Sequence, residues 1–232
     1  MRPYILFIDT ETSGLPKKWN APCTDVNNWP YIVQISWVIY TDKGNLVKRE
    51  NHYINNNDFK SSPTSVLIHG ISDEYRQQWG ESRLKVMTFL AEDLYQYEPL
   101  LVAHFAELDL NMMGADFYRA GIKNPAENLP SFCTMVASAP YVRNPNAKYL
   151  KLDELYFALF KYPLQNQHNA LIDAFATAKC FFQLLKQGEI NDIRIDQQQK
   201  YLRTIKAESK NPGYGIPILI VFLLTVLIAF LL

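Results

Sequence analysis

The stretch Tyr4-Ile-Leu-Phe-Ile-Asp-Thr-Glu-Thr-Ser-Gly14 constrains the fold more than any other part of the chain. Tyr4 to Ile8 is a short apolar run, the pattern of a strand buried on both faces. The run ends in two carboxylates, Asp9 and Glu11. Residues i and i+2 of a strand share a face, so both acids look the same way. Adjacent like charges are unfavourable unless a proton or a cation resolves them. A hard divalent cation, which takes carboxylate oxygens, is the simplest resolution. The alternative is an ordinary core strand with two solvated acids at its mouth. Further acids elsewhere in the chain decide between the two.

The remaining pattern supplies the layers such a strand needs. Residues 15–30, rich in Pro, Asn and Asp, read as a loop. Tyr31 to Tyr40 and Val47 to Ile54 read as strands separated by the turn Asp42-Lys-Gly-Asn45, giving an antiparallel meander with the first strand. Apolar positions at 84, 86, 87, 90, 91 and 94 predict a helix over Arg83 to Tyr95. Leu100 to Ala103 reads as a buried strand, Glu107 to Ala120 as a helix closed by Gly121, and Ser131 to Met135 as a brief strand. Lys151 to Phe160 and Asn169 to Lys186 read as helices. Strands followed by helices alternating with short strands point to an α/β layer fold around one mixed sheet.

Formal net charge is +0, so no basic signature of bulk nucleic-acid binding exists, although a grip on a few nucleotides needs none. Cys23, Cys133 and Cys180 lack metal-ligand or disulfide spacing and read as small hydrophobes in a reducing compartment. The N-terminus carries no signal-peptide pattern, because Asp9 and Glu11 interrupt its apolar run.

The C-terminus differs from the rest. Residues 189–213 read as a polar connector rich in Gln and charge. Ile216 to Leu232 is 17 residues without charge, Thr225 being its one polar side chain. At a rise of about 1.5 Å per residue that spans roughly 25 Å, close to a hydrocarbon core when Tyr214 and Gly215 are added. Residues 214–232 are therefore expected to be a transmembrane anchor. Lys200, Arg203, Lys206 and Lys210 precede it and favour the large domain on the cytoplasmic side.

More acids do arrive. Leu101-Val-Ala-His-Phe-Ala-Glu-Leu-Asp109 sets an acid early in a helix that follows a buried strand. His168-Asn-Ala-Leu-Ile-Asp173-Ala174 sets a histidine at a helix entrance and an acid among small apolar residues inside it. Burying Asp173 there is costly without a partner, and no cation stands at helical spacing before Lys179.

These motifs resemble the DEDD-type 3′→5′ exonucleases, in the histidine subgroup that includes polymerase proofreading exonucleases and ribonuclease T. Phe7-Ile-Asp9-Thr-Glu11-Thr-Ser-Gly14 is similar to that family's first motif, Leu101-Val-Ala-His104 through Asp109 to its second, and His168 through Ala174 to its third. His69-Gly-Ile-Ser-Asp-Glu74, Phe132-Cys-Thr-Met135 and Tyr149-Leu-Lys-Leu-Asp-Glu-Leu155 resemble stretches between them. The second motif departs from the pattern: most members have Asn after the histidine, and this chain has Phe105.

The resemblance implies a ribonuclease H-like fold, a five-stranded mixed sheet flanked by helices, over a domain of residues 1–188. It implies that Asp9, Glu11, Asp109 and Asp173 hold two divalent cations, Mg²⁺ with Mn²⁺ as substitute. His168 would take a proton from the attacking water. Thr10 and Thr12 would offer backbone amides to the terminal nucleotide, Leu15 would wedge against its base, and His104 and Phe105 would help to seat it. The implied activity is hydrolysis of the last phosphodiester of a single-stranded nucleic acid 3′ end, DNA being favoured, with release of nucleoside monophosphates. An exoribonuclease of the same family, or an inactive membrane-tethered nucleic-acid-binding module, are the alternatives. A second copy of the chain, or a polymerase or repair partner, stays open.

Overall fold

In the computed structural model, residues 1–200 are described. The sheet has five strands in the order β3-β2-β1-β4-β5. β1 (Tyr4–Thr12) pairs antiparallel with β2 (Ile32–Thr41), which pairs antiparallel with β3 (Leu46–Tyr53). β4 (Leu100–Ala103) runs parallel to β1, and β5 (Ser131–Cys133) parallel to β4. The meander expected from the sequence is present, as is the mixed sheet. Two short helices, α1 (Pro63–His69) and α2 (Asp73–Trp79), and the longer α3 (Arg83–Tyr97) connect β3 to β4. After β4 come α4 (Ala106–Arg119), then, past β5, α5 (Thr134–Ala137), α6 (Leu152–Phe160) and α7 (Ala170–Lys186).

β1 is sandwiched, as its apolar run requires. Leu6 and Ile8 enter a core with Val86 and Leu90 of α3 and Met112 and Phe117 of α4. Ile5 and Phe7 enter a second core with Leu155 of α6 and Phe181 and Leu184 of α7. Strand alternation carries this parity forward: Asp9 and Glu11 continue the α7 face, Thr10 the α4 face. α7 presents Ala174, Ala176 and Ala178, all buried, so its backbone can lie close to the sheet.

The strand outlasts its apolar run, extending through both acids to Thr12. Its pairing with β2 slips between Glu11 and Thr12, an irregularity of the kind found where a sheet re-aims side chains. The parallel ladder with β4 ends at Phe7 opposite Val102. Beyond it the chain leaves β4 through His104 and Phe105 into α4. A crevice therefore opens at the C-terminal ends of two parallel strands, the usual place for a ligand in such sheets.

The connector expected from residue 189 belongs, over its described part, to the folded body. Residues 192–200 are helical, and Ile190 and Ile195 are buried in the α7 core. Gln198 accepts from the Cys133 N–H at 2.9 Å and donates to the Cys133 carbonyl at 3.3 Å. The Gln199 amide donates to the Ser131 carbonyl. These glutamines occupy the open side of β5, which would otherwise be an unpaired sheet edge. Glutamine richness thus reflects an edge seal rather than a solvated tether. The expected anchor, 214–232, lies outside the described residues. Among the described residues no helix is long and apolar enough to cross a membrane.

Candidate active site

Three separate elements deliver carboxylates to the crevice. Asp9 and Glu11 come from the end of β1. Asp109 stands in the first turn of α4, and Asp173 in the first turn of α7. Helix N-termini favour negative charge, so both helices tolerate an acid there. Thr10, on the opposite parity, donates its hydroxyl to Asp109 Oδ1 at 2.8 Å and thereby fixes α4 against β1. Asp173 Oδ2 accepts the His168 backbone N–H at 2.9 Å. His168 itself lies in the left-handed region, at φ 62°. Ligand atoms of Glu11, His168 and Asp173 lie within 4.8 Å of one another.

The acids repel one another. Burial, then the charges of Asp109, Asp173 and Glu11, push the Asp9 carboxyl well above the usual carboxylate range. Glu11 is pushed up to about 8 by burial and by Asp173 and Asp109. Burial raises Asp109 to about 7, against the opposing pull of its Thr10 hydrogen bonds. Burial raises Asp173 to about 6, opposed by the His168 N–H. Four buried or nearly buried acids with raised affinity for protons form a cluster that wants positive charge.

Divalent cations fit this donor set. Asp173 Oδ1 is buried without a hydrogen-bond partner. An orphaned carboxylate oxygen is costly, and a hard cation is the partner that such an oxygen takes. Asp9, Glu11 and Asp173 share one side of the sheet, and Asp109 closes the crevice from the α4 side.

The supporting residues divide into ties and rim. His104, expected at the nucleotide, has both ring nitrogens engaged: Nδ1 with the Thr134 hydroxyl at 3.0 Å and Nε2 with the Leu150 carbonyl at 3.0 Å. Burial lowers its pKa to about 4, so it is a neutral strut between β4 and the loop before α6. The Thr12 hydroxyl donates to the Gly14 carbonyl at 2.7 Å and shapes the turn that follows β1. Leu15, on that turn, is 66% exposed and free to meet a ligand. Phe105 caps α4 in the left-handed region, φ 78°, and packs against Trp19 with ring centroids 5.2 Å apart.

Two contributors escaped the sequence reading. Gln34 of β2, fully buried and paired with Glu11 across the ladder, accepts from the Ala170 N–H at 3.2 Å. Its amide donates to Asn51 at 2.8 Å. It ties the start of α7 to the strand beside Glu11. The signal was a glutamine, two positions before Ser36, in the otherwise apolar and aromatic run Tyr31 to Tyr40. His69, at the end of α1, lies beside the Thr12 backbone and within reach of the His168 charge, and burial lowers its pKa.

Comparison with known proteins shows the family. Residues 6–181 match the exonuclease (RNase T) family. The chain belongs to the exonuclease family. The matched span contains β1 from Leu6 onward, all of α4 and α7 as far as Phe181, hence every acid of the cluster. No curated protein matches the chain. Among solved structures, the zinc-bound complex of E. coli exonuclease I with single-stranded DNA is similar at TM-score 0.66 and 19% identity, over 88% of this chain and 43% of that one. E. coli exonuclease I in complex with a dT13 oligonucleotide is similar at TM-score 0.65 and 18% identity, over 80% and 41%. At such identity the likeness is one of fold. The chain spans less than half the length of these exonuclease I chains.

Proposed function

We propose that the protein is a metal-dependent 3′→5′ exonuclease that removes nucleoside monophosphates from a single-stranded 3′ end, DNA being the favoured substrate. One observation carries the reading: ligand atoms of Glu11, His168 and Asp173 gather within 4.8 Å, Asp9 feels the charges of Glu11, Asp109 and Asp173, and an Asp173 oxygen is left unpaired. Family membership is consistent with it, and oligonucleotide complexes of the fold relatives support the choice of DNA.

When bound, two divalent cations, Mg²⁺ or Mn²⁺, would supply charge stabilisation at the scissile phosphate and lower the pKa of a water. Asp9, Glu11, Asp109 and Asp173 would hold them. His168, at the exposed edge of the cluster, takes the proton from the attacking water, and its backbone N–H is bonded to Asp173. The Thr12 backbone amide and the exposed Leu15 receive the terminal nucleotide, whereas the Thr10 backbone amide, expected there too, is bonded to Asp109. His104 holds the β4–α4 turn in place from behind.

The test is release of mononucleotides from 3′-labelled single-stranded DNA, duplex DNA and single-stranded RNA with Mg²⁺ or Mn²⁺. Release from the DNA single strand, abolished by Asp9→Ala, supports the reading. No release by the unaltered protein from any of the three overturns it. Faster release from RNA would select the exoribonuclease alternative.

Membrane attachment through residues 214–232 completes this reading, on the strength of the uncharged apolar run from Ile216 to Leu232. The full chain is expected to stay in the membrane fraction on carbonate extraction. A chain that extracts fully would refute attachment while leaving the nuclease reading intact.

A further inference from the structure

We infer that Trp19 and Phe105, with Lys17 and Lys18, form a second nucleotide subsite that takes a base and phosphate upstream of the terminal nucleotide. The inference rests on the exonuclease reading above and adds to it a part of the site that the acid motifs do not contain.

Phe105 is the first observation. It sits between the strut His104 and the helix that carries Asp109, in a left-handed backbone conformation at φ 78° and ψ 49°. A bulky side chain rarely adopts that conformation, whereas Asn adopts it readily. Such strain persists only where surrounding structure enforces it, and it gathers at ligand-binding positions. Asn would fill this turn without strain, so the ring itself is what the position provides.

The second observation is the ring's partner. Trp19 lies against Phe105, ring centroids 5.2 Å apart and tilted by 41°. Both residues are partly exposed. Trp19 belongs to the loop after β1, which would be free to wander without a tie. Asn28, buried, supplies one. Its side chain accepts from the Lys18 N–H at 2.8 Å and donates to the Lys18 carbonyl at 2.9 Å, and its own carbonyl accepts from the Lys17 N–H at 3.1 Å. The loop is thus preorganised immediately before Trp19.

The third observation is charge. Lys17 and Lys18 are both exposed on that fixed segment. Among the described residues neither ammonium pairs with a carboxylate. Two unpaired cations beside an aromatic pair, at the lip of a crevice holding four acids, match the chemistry of a nucleic acid strand. Cations take phosphates, and aromatic faces take any base, which suits an enzyme without sequence preference. Leu15 precedes this segment on the same turn, so the subsite adjoins the place of the terminal nucleotide. The net-neutral chain would grip its substrate locally through this segment.

The experiment measures kcat/KM on single-stranded DNA in which one abasic nucleotide is placed in turn at the second, third and fourth positions from the 3′ end. The variants are Phe105→Asn, Trp19→Ala and the pair Lys17→Gln with Lys18→Gln. Phe105→Asn keeps the left-handed turn, so it separates the ring from the backbone. At one of these positions the abasic nucleotide is expected to cost the unaltered enzyme roughly tenfold, the scale of one base stack. Phe105→Asn and Trp19→Ala should lose a similar factor on the intact strand and nothing further on the abasic one. The double lysine variant should flatten the decline of log kcat/KM with log salt. Equal abasic penalties in all variants, or Phe105→Asn with unchanged kcat/KM, would overturn the subsite. An enzyme that cleaves but shows neither effect loses the subsite alone, whereas one that releases no nucleotide loses the exonuclease reading.

Discussion

The floor of the crevice and its rim are built in opposite ways. The floor consists of β1, α4 and α7, each packed into a hydrophobic core, and its acids are buried or half-buried side chains on regular elements. The rim consists of the loop from Leu15 to Asn27, the short helix α1 and the turns at Phe105 and His168, with mostly exposed or half-buried side chains and left-handed backbone at the two turns. The floor is packed well and charged badly: its four carboxylates repel and hold their protons. The rim is charged and exposed freely but packed sparsely. On the proposed function, chemistry that must hold a fixed geometry would sit where the core is, and contacts that must adapt to different bases would sit where it is not.

The largest effect should come from the floor. Asp9→Asn and Asp173→Asn should each reduce activity by at least about a thousandfold, since a ligand to the cations contributes several kcal/mol to the transition state. The same variants should melt at or above the temperature of the unaltered protein without metal, because each removes a repelling charge. Melting in the presence of a chelator checks this. A lower melting temperature would mean that the acids stabilise the fold rather than load it.

The second effect is the pH dependence of that load. Asp109 and Asp173 titrate near 7 and 6, and Glu11 near 8, all above their ordinary values. The folded state therefore binds more protons than the unfolded state between about pH 4 and pH 8, and stability falls as pH rises through that window. Chelator-treated protein should lose melting temperature steadily from pH 5 to pH 8. Mg²⁺ should restore it, most at the alkaline end, by about 2.7 kcal/mol at a hundred times its dissociation constant. A metal-induced shift that is largest at pH 5 would contradict the electrostatic account.

The floor was legible in the sequence because its signals are local. An apolar run ending in two acids reads as one strand, and an aspartate among Ala, Leu and Phe reads as a buried acid needing a partner. The supports were not legible, since they depend on which residues meet. Nothing near Gln34 indicates that it will hold the start of a helix more than a hundred positions away. The Gln-rich segment after Gly188 looks like a solvated connector, and only the edge of β5 explains it. Likewise His104 reads as a nucleotide contact until Thr134 and Leu150 are found on its two nitrogens.

Those supports make the third and fourth predictions. A chain ending at Gly188 would expose the β5 edge and lose the burial of Ile190 and Ile195, about 1.5–3 kcal/mol each at most. Its melting temperature should drop clearly below that of a chain ending at Lys200. Gln34→Leu leaves the buried Ala170 N–H without its acceptor, a cost of about 1–3 kcal/mol. Activity should fall further than stability accounts for, because Asp173 and Glu11 lose their common tie. Metal titration of Gln34→Leu by melting would show the weaker affinity directly.

The smallest effect on stability should come from the rim, and that makes it the sharpest test of the division. Leu15 is 66% exposed, so Leu15→Ala removes almost no buried area. Surface changes of this kind lie within about 0.5 kcal/mol, below what a melting curve resolves easily. The neighbouring turn is fixed by the Thr12 hydroxyl and does not depend on the leucine. If Leu15 touches the terminal base, the substitution should raise KM severalfold and leave kcat, metal affinity and the pH dependence of melting unchanged. If it lowers kcat and metal affinity instead, rim and floor are coupled through the Thr12–Gly14 turn, and the separation between them fails at that turn.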